Sequence, residues 1–158
     1  MSSPPSAPPR FTLIYDGVCR LCDGVVRFIY TRDVGGALFR FCALQSRAAE
    51  PLLARAGVTR EDALKSFVIL DAEGDRVLRR SDAAIAIARA LPAPWWALAI
   101  IGGCVPRVLR DIVYDCVAAR RYSLFGKSAE GECLFPSKTV LSRFLDRDEI
   151  IESMKKGL

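Results

Sequence analysis

The run Phe11-Thr12-Leu13-Ile14-Tyr15 stops at Asp16-Gly17, and from Cys19 onward the apolar residues change period. A compact stretch rich in aromatic and β-branched residues, closed by Asp-Gly, reads as a buried strand and a turn. Beyond it Cys22, Val25, Val26, Ile29 and Tyr30 fall at helical spacing, and Gly35-Gly36 stops the pattern. Leu38 to Leu44 then reads as a second strand. A strand, a helix and a strand in that order form a βαβ unit, with parallel strands and a right-handed crossover. This opening segment commits the chain to an α/β arrangement.

The remaining elements extend it. Ser46 is placed to cap a second helix through about Ala56, with Leu52 and Leu53 inward and Gly57 at its end. Ser66 to Asp71 reads as a third strand, Glu73-Gly74-Asp75 as a turn and Arg76 to Arg80 as a fourth strand, together a hairpin. Ser81-Asp82 is positioned to cap a helix through about Leu91, offering Ala84, Ile85, Ile87 and Ala88 to the core. The order β-α-β-α-β-β-α predicts an α/β fold with a mixed four-stranded sheet and helices on its faces. The C-terminal third reads as a helical extension. Val105, Val108, Leu109, Ile112, Val113, Cys116 and Val117 form an amphipathic stripe. A loop holds Phe125-Gly126-Lys127 and Cys133-Leu134-Phe135-Pro136, and Ser137 then caps a last helix with Val140, Leu141, Phe144 and Leu145. The expected organisation is a Ser/Pro-rich disordered tail over 1–10, a single domain over 11–146 and a charged tail over 147–158.

The uncharged run between Arg89 and Arg107 contains Pro92, Pro94, Pro106 and Gly102-Gly103. A membrane span needs roughly 20 predominantly apolar residues, and this run is shorter and broken. It reads as a buried helix, with membrane-surface contact as the alternative and no stable membrane insertion expected.

Composition narrows the chemistry. The 158 residues, 51% hydrophobic, suffice for a core without metal or disulfide staples. The net charge of +5 comes from arginines scattered among acids, which reads as a solubility feature rather than a nucleic-acid surface. There is no histidine. That excludes Ser-His-Asp and Cys-His catalysis and every His-ligated metal site. No secretory signal is visible at the N-terminus, so the six cysteines read as thiols in a reducing compartment, the cytoplasm, an organelle reached by another signal being left open.

Cys19 and Cys22, at i and i+3, lie on one side of a first helical turn, where unpaired backbone N–H groups and the helix dipole favour thiolate over thiol. Arg20 adds a positive charge. The geometry predicts Cys19 as nucleophile and Cys22, expected to be more buried, as the resolving thiol. Asp16 either takes a proton from Cys22 or caps the turn. A zinc site normally needs a second close cysteine pair, whereas Cys42, Cys104, Cys116 and Cys133 are isolated. Cys42, Cys104 and Cys116 read as core, Cys133 as a candidate accessory thiol, and Trp95-Trp96 as helix packing.

At Asp16-Gly17-Val18-Cys19-Arg20-Leu21-Cys22 the chain resembles the DCC family of thiol-disulfide oxidoreductases, named for an Asp-Cys-Cys signature. The resemblance continues through Ser66-Phe67-Val68-Ile69-Leu70, Arg80-Ser81-Asp82-Ala83-Ala84, Pro94-Trp95, Val105-Pro106, Arg110-Asp111 with Tyr114-Asp115, Arg121-Tyr122, Phe125-Gly126-Lys127 and Cys133 with Pro136. It implies a thioredoxin-like fold and disulfide exchange without a cofactor or metal. The implied partners are a disulfide-containing protein or low-molecular-weight thiol and a recycling reductant. Thioredoxins carry a cis-proline before the third strand that helps bind substrate backbone. Here that position is near Lys65-Ser66, so the role falls to Ser66 or its backbone. The competing readings are a cysteine-ligated zinc module and a redox-inactive thioredoxin-like adaptor.

Overall fold

The computed structural model describes residues 9–33, 35, 36, 38–74, 76–127 and 138–156. Most of the N-terminal tail, Cys133 and Ser137 lie outside the described residues. The elements are β1 (Phe11–Tyr15), α1 (Arg20–Arg32), β2 (Phe39–Ala43), α2 (Ala49–Ala56), α3 (Arg60–Lys65), β3 (Val68–Asp71), β4 (Val77–Arg79), α4 (Arg80–Ala90), α5 (Trp95–Gly103), α6 (Arg107–Phe125), α7 (Lys138–Leu141) and α8 (Arg147–Lys156).

The sheet order is β2-β1-β3-β4. β1 pairs in parallel with β2 and antiparallel with β3, and β3 pairs antiparallel with β4. The mixed sheet is the expected thioredoxin-like one. Alternation along β1 builds both cores. Leu13 and Tyr15 face the cluster made with Val26 and Ile29 of α1 and Ala83 and Ile87 of α4. Ile14 faces the other, made with Leu53 of α2 and Ala63 of α3.

Two expected caps are made differently. α2 begins at Ala49, and the Ser46 hydroxyl donates instead to the Ala43 carbonyl at 2.7 Å, in the turn before it. α4 begins at Arg80, ahead of Ser81-Asp82, and the Ser81 hydroxyl donates to Asp111 of α6 at 2.5 Å. α3 adds a helix the periodicity did not suggest, with Thr59 as its cap accepting from Asp62 N at 3.1 Å. Ala83, rather than Ala84, faces the core.

The larger corrections are in the C-terminal third. α5 is not a buried helix: of its residues only Ala99 is buried, and Trp96, Leu98, Ile100 and Ile101 are exposed. The α6 stripe of Val108, Leu109, Ile112, Val113 and Val117 also faces outward, and Cys104 and Cys116 are exposed rather than core. α6 turns its polar side inward because α4 offers charges to meet it. Arg110 reaches Asp82 at 3.3 Å, Arg80 reaches Asp115 at 3.2 Å, and Asp111 accepts from Ser81. Trp95 packs as expected, its ring 4.7 Å from that of Phe28 on α1. Cys42 is buried in β2 as expected.

After α7 the chain returns to the sheet edge. Phe144 bridges to Phe41, with Phe41 N donating to Arg143 O at 3.0 Å and Leu145 N to Phe41 O at 2.9 Å. Leu145 itself is exposed. The stretch read as a charged tail is helical as α8 and buries Ile150. Just before it sits Asp146, a buried carboxylate that accepts from Ala43 N at 3.3 Å while its Oδ1 has no hydrogen-bond partner among the described residues. Burial pushes its carboxyl from the ordinary 3.8 up to about 6, and the Glu149 charge adds to the effect. The folded state therefore holds the Asp146 proton more tightly than the unfolded chain does. That contribution to stability is complete below pH 3.8 and is lost as pH rises through about 6. Asp146→Asn is expected to match the native protein near pH 4 and to exceed it by about 3 kcal/mol at pH 7 in urea melts. A pH-independent difference between the two would contradict this assignment.

Candidate active site

The end of β1 delivers Asp16 and Gly17 to a tight turn, and Cys19 follows as the N-cap of α1. Cys19 N donates to Asp16 O at 3.2 Å, and Asp23 N donates to Cys19 O at 3.0 Å. Gly17 is required by close approach. A Cβ there would lie 3.2 Å from Gln45 Oε1 and 3.3 Å from Ala43 Cβ. Cys19 and Cys22 therefore share the first turn, both as free thiols.

Their burial departs from expectation. Cys19 is 0% exposed and Cys22 4%. Cys19 pairs through an antiparallel backbone bridge with Lys127, just past α6. Cys22 instead borders a cavity of about 190 Å³, walled by Leu21, Phe67, Val113 and Val117 and reached by Asp16, Ser66 and Arg121. A larger cleft of about 650 Å³ between Arg10, Asp71, Arg76 and Arg89 contains no thiol. The chemistry therefore concentrates at the smaller one.

Asp16 is buried and its two oxygens accept from four groups. Oδ1 takes Val18 N at 3.2 Å and Gln45 Nε2 at 2.7 Å, while Oδ2 takes the Arg121 guanidinium at 3.2 Å and the Tyr122 hydroxyl. The bond to Val18 is the turn cap anticipated for Asp16. Gln45, Arg121 and Tyr122 are site residues to which sequence reasoning gave no role, although Arg121-Tyr122 stood among the landmarks of the resemblance. Arg121 also donates to Leu64 O and, at 3.0 Å, to Tyr122 Oη.

The electrostatics follow from this packing. Burial pushes the Cys22 thiol far above its ordinary range. The neighbouring Cys19 and Asp16 push it further, and the Arg121 guanidinium opposes them. Burial and the bond to Asp16 raise the Tyr122 phenol, so Tyr122 stays a donor.

Ser66 is the C-cap of α3, two residues before β3, and its buried Oγ has no hydrogen-bond partner among the described residues. The neighbouring Phe67 N donates to the Tyr114 hydroxyl of α6 at 3.0 Å. Arg20 is exposed, lies alongside Gly126 and stands outside the cavity. Among the described residues no cluster of three or more acids or cysteines is placed to hold a metal.

Residues 13–127 match the model of the family described as DCC1-like thiol-disulfide oxidoreductase. The chain belongs to this family. A protein of Bacillus subtilis (strain 168) named Uncharacterized protein YuxK is 42% identical over 137 residues, 87% of this chain and 95% of its own. An Arabidopsis thaliana protein named DCC family protein At1g52590, chloroplastic, is 38% identical over 119 residues, 75% of this chain and 67% of its own. No solved structure gives a significant match. Within the DCC family match, Asp16, Cys19 and Cys22 occupy one turn, and Arg121 and Tyr122 close over it from α6.

Proposed function

We propose that this DCC protein exchanges disulfides through Cys19 and Cys22, with Cys19 as nucleophile and Cys22 as resolving thiol. The observation that carries the proposal is two free thiols sharing the first turn of α1 beside a cavity that Cys22 borders. Cys22 holds its proton because of burial until it resolves the mixed disulfide.

The reaction runs in two displacements. The Cys19 thiolate attacks one sulfur of a substrate disulfide, the substrate S–S bond breaks, and one substrate thiolate leaves. Cys22 then loses its proton and attacks the Cys19 sulfur. A second substrate thiolate leaves as the Cys19–Cys22 disulfide forms. The substrate gains two electrons and the cysteine pair loses them. A thiol reductant in a reducing compartment such as the cytoplasm restores the pair. With Cys19 fully buried, substrate reaches its sulfur only when the bridge to Lys127 parts.

Asp16 acts here as a positioning residue, its oxygens engaged while it holds Arg121 beside Cys22. Ser66 meets the substrate backbone at the cavity wall, and Arg20 contacts substrate beside Gly126 on the approach to Cys19. Cys133 serves as an accessory thiol.

Equilibration across glutathione buffers, with alkylation and mass counting, tests the reading. One reversible two-electron transition involving Cys19 and Cys22 is expected, with a midpoint between about −270 and −120 mV, and Cys22→Ser removes it. A pair that stays oxidised below about −300 mV is a structural staple, and the adaptor reading replaces this one. Alkylation at Cys133 in the same samples reads the accessory role.

A further inference from the structure

α6 is an inside-out helix. Its inward side carries Arg110, Asp111, Tyr114 and Arg121, and its outward side carries Val108, Leu109, Ile112 and Val113. The polar side is satisfied by α4 and by Asp16. The apolar side is largely exposed, apart from the edge that Val113 and Val117 lend to the Cys22 cavity. Val108 is 71% exposed. α5 extends the anomaly with nine residues free of charge, and Ile101 is 66% exposed. Both helices overlie α1 and α4, so their outer faces point away from the sheet together. Large apolar side chains exposed along two successive helices mark an interaction surface.

Charge selects the occupant. The sequence has no acid between Asp82 and Asp111 and none between Asp115 and Glu130. Asp82, Asp111 and Asp115 are all turned to arginines or to Ser81 at the α4–α6 contact. The outward side keeps a cation, Arg120, which lies within the stripe. A second copy on this face would offer Arg120 no carboxylate within the stripe. An apolar surface that carries a cation and is cleared of anions matches acyl chains beneath anionic headgroups. No described helix is long and apolar enough to cross a membrane, so the contact lies in the interface plane. The indole of Trp96, exposed in the first turn of α5, suits that depth.

We propose that the outward faces of α5 and α6 dock on an anionic phospholipid surface. Val113 and Val117 belong both to this stripe and to the wall of the Cys22 cavity. Docking therefore holds the redox site at the bilayer, where it meets disulfides presented at a membrane surface. This consequence rests on the oxidoreductase reading, whereas the docking does not.

The test is flotation of the reduced full-length chain with vesicles of phosphatidylcholine alone or mixed with phosphatidylglycerol. Flotation on the mixed vesicles is expected, with a preference over neutral ones of roughly fivefold in partition for one arginine. It should weaken with added salt. Ile101→Glu combined with Ile112→Glu is expected to abolish it. Both side chains are exposed, so the Cys19–Cys22 transition in glutathione buffers should be unchanged. Equal binding to both vesicle types, no binding to either, or undiminished binding of the double variant would each overturn the proposal. Absence of flotation together with a dimer that the same variant dissociates would assign the face to a second copy. The glutathione titration is read separately, so loss of docking and loss of redox activity cannot be confused.

Discussion

Arg143→Met is expected to destabilise the protein by about 3–5 kcal/mol, because it strands a buried carboxylate. The Arg143 guanidinium lies 2.5 Å from Asp33 Oδ2, with side chains 8% and 1% exposed. Asp33 closes α1 and also accepts from Phe39 N at 3.1 Å, so its charge anchors the start of β2. Burial pulls the arginine's pKa down and the Asp33 charge opposes it, which identifies the pair as mutually dependent. Asp33→Asn should cost a similar amount. The double variant should cost clearly less than the sum, with a coupling of about 2 kcal/mol from urea melts. Strict additivity would mean that the two charges do not stabilise one another. The consequence reaches the site, because Arg143 leads into Phe144, whose ring packs edge-on against Tyr15 at 6.5 Å, one residue before Asp16.

How far such features were legible depends on the sequence distance between partners. β1 and the start of α1 rest on local pattern, and Phe11–Tyr15 matches its expected bounds. The same locality made Asp16, Cys19 and Cys22 visible as a group. Ser81 looked like a helix cap because Ser beside Asp at a helix start is a local signal. Its hydroxyl is taken by Asp111, 30 residues away, which no local rule weighs. Gln45 and Arg121 meet Asp16 from 29 and 105 residues away. The single hint for Arg121 was its place among the family landmarks.

The α6 stripe shows a different limit. Periodicity identifies two faces of a helix, and burying the apolar one is an added assumption. Here the opposite face carries Arg110, Asp111, Tyr114 and Asp115, and α4 carries Arg80, Ser81 and Asp82. These two sets of charged and hydroxyl groups are complementary. Their pairing at the α4–α6 contact reverses the orientation that apolar content alone suggests, and it exposes Cys116 with the stripe.

The second large effect is expected at the thiols, with opposite signs from the two members of one ion pair. Arg121 favours the Cys22 thiolate and Asp16 opposes it. In a Cys19→Ser background, Arg121→Met should slow alkylation of Cys22 at neutral pH by roughly tenfold, since it removes the cation and leaves the Asp16 charge unbalanced. Asp16→Asn should speed it by roughly tenfold, since the cation is then unopposed. Arg121→Lys, which keeps the charge but loses the planar fork, should fall between native and Arg121→Met. Both charge-removing variants break a buried pair with side chains 9% and 2% exposed, so both should also lower stability. Loosening alone would accelerate alkylation in both, and opposite signs therefore separate electrostatics from damage. A slower reaction in Asp16→Asn would instead mean that the carboxylate itself takes the proton of Cys22. With Val18, Gln45, Arg121 and Tyr122 already on its oxygens, the geometry favours the faster one.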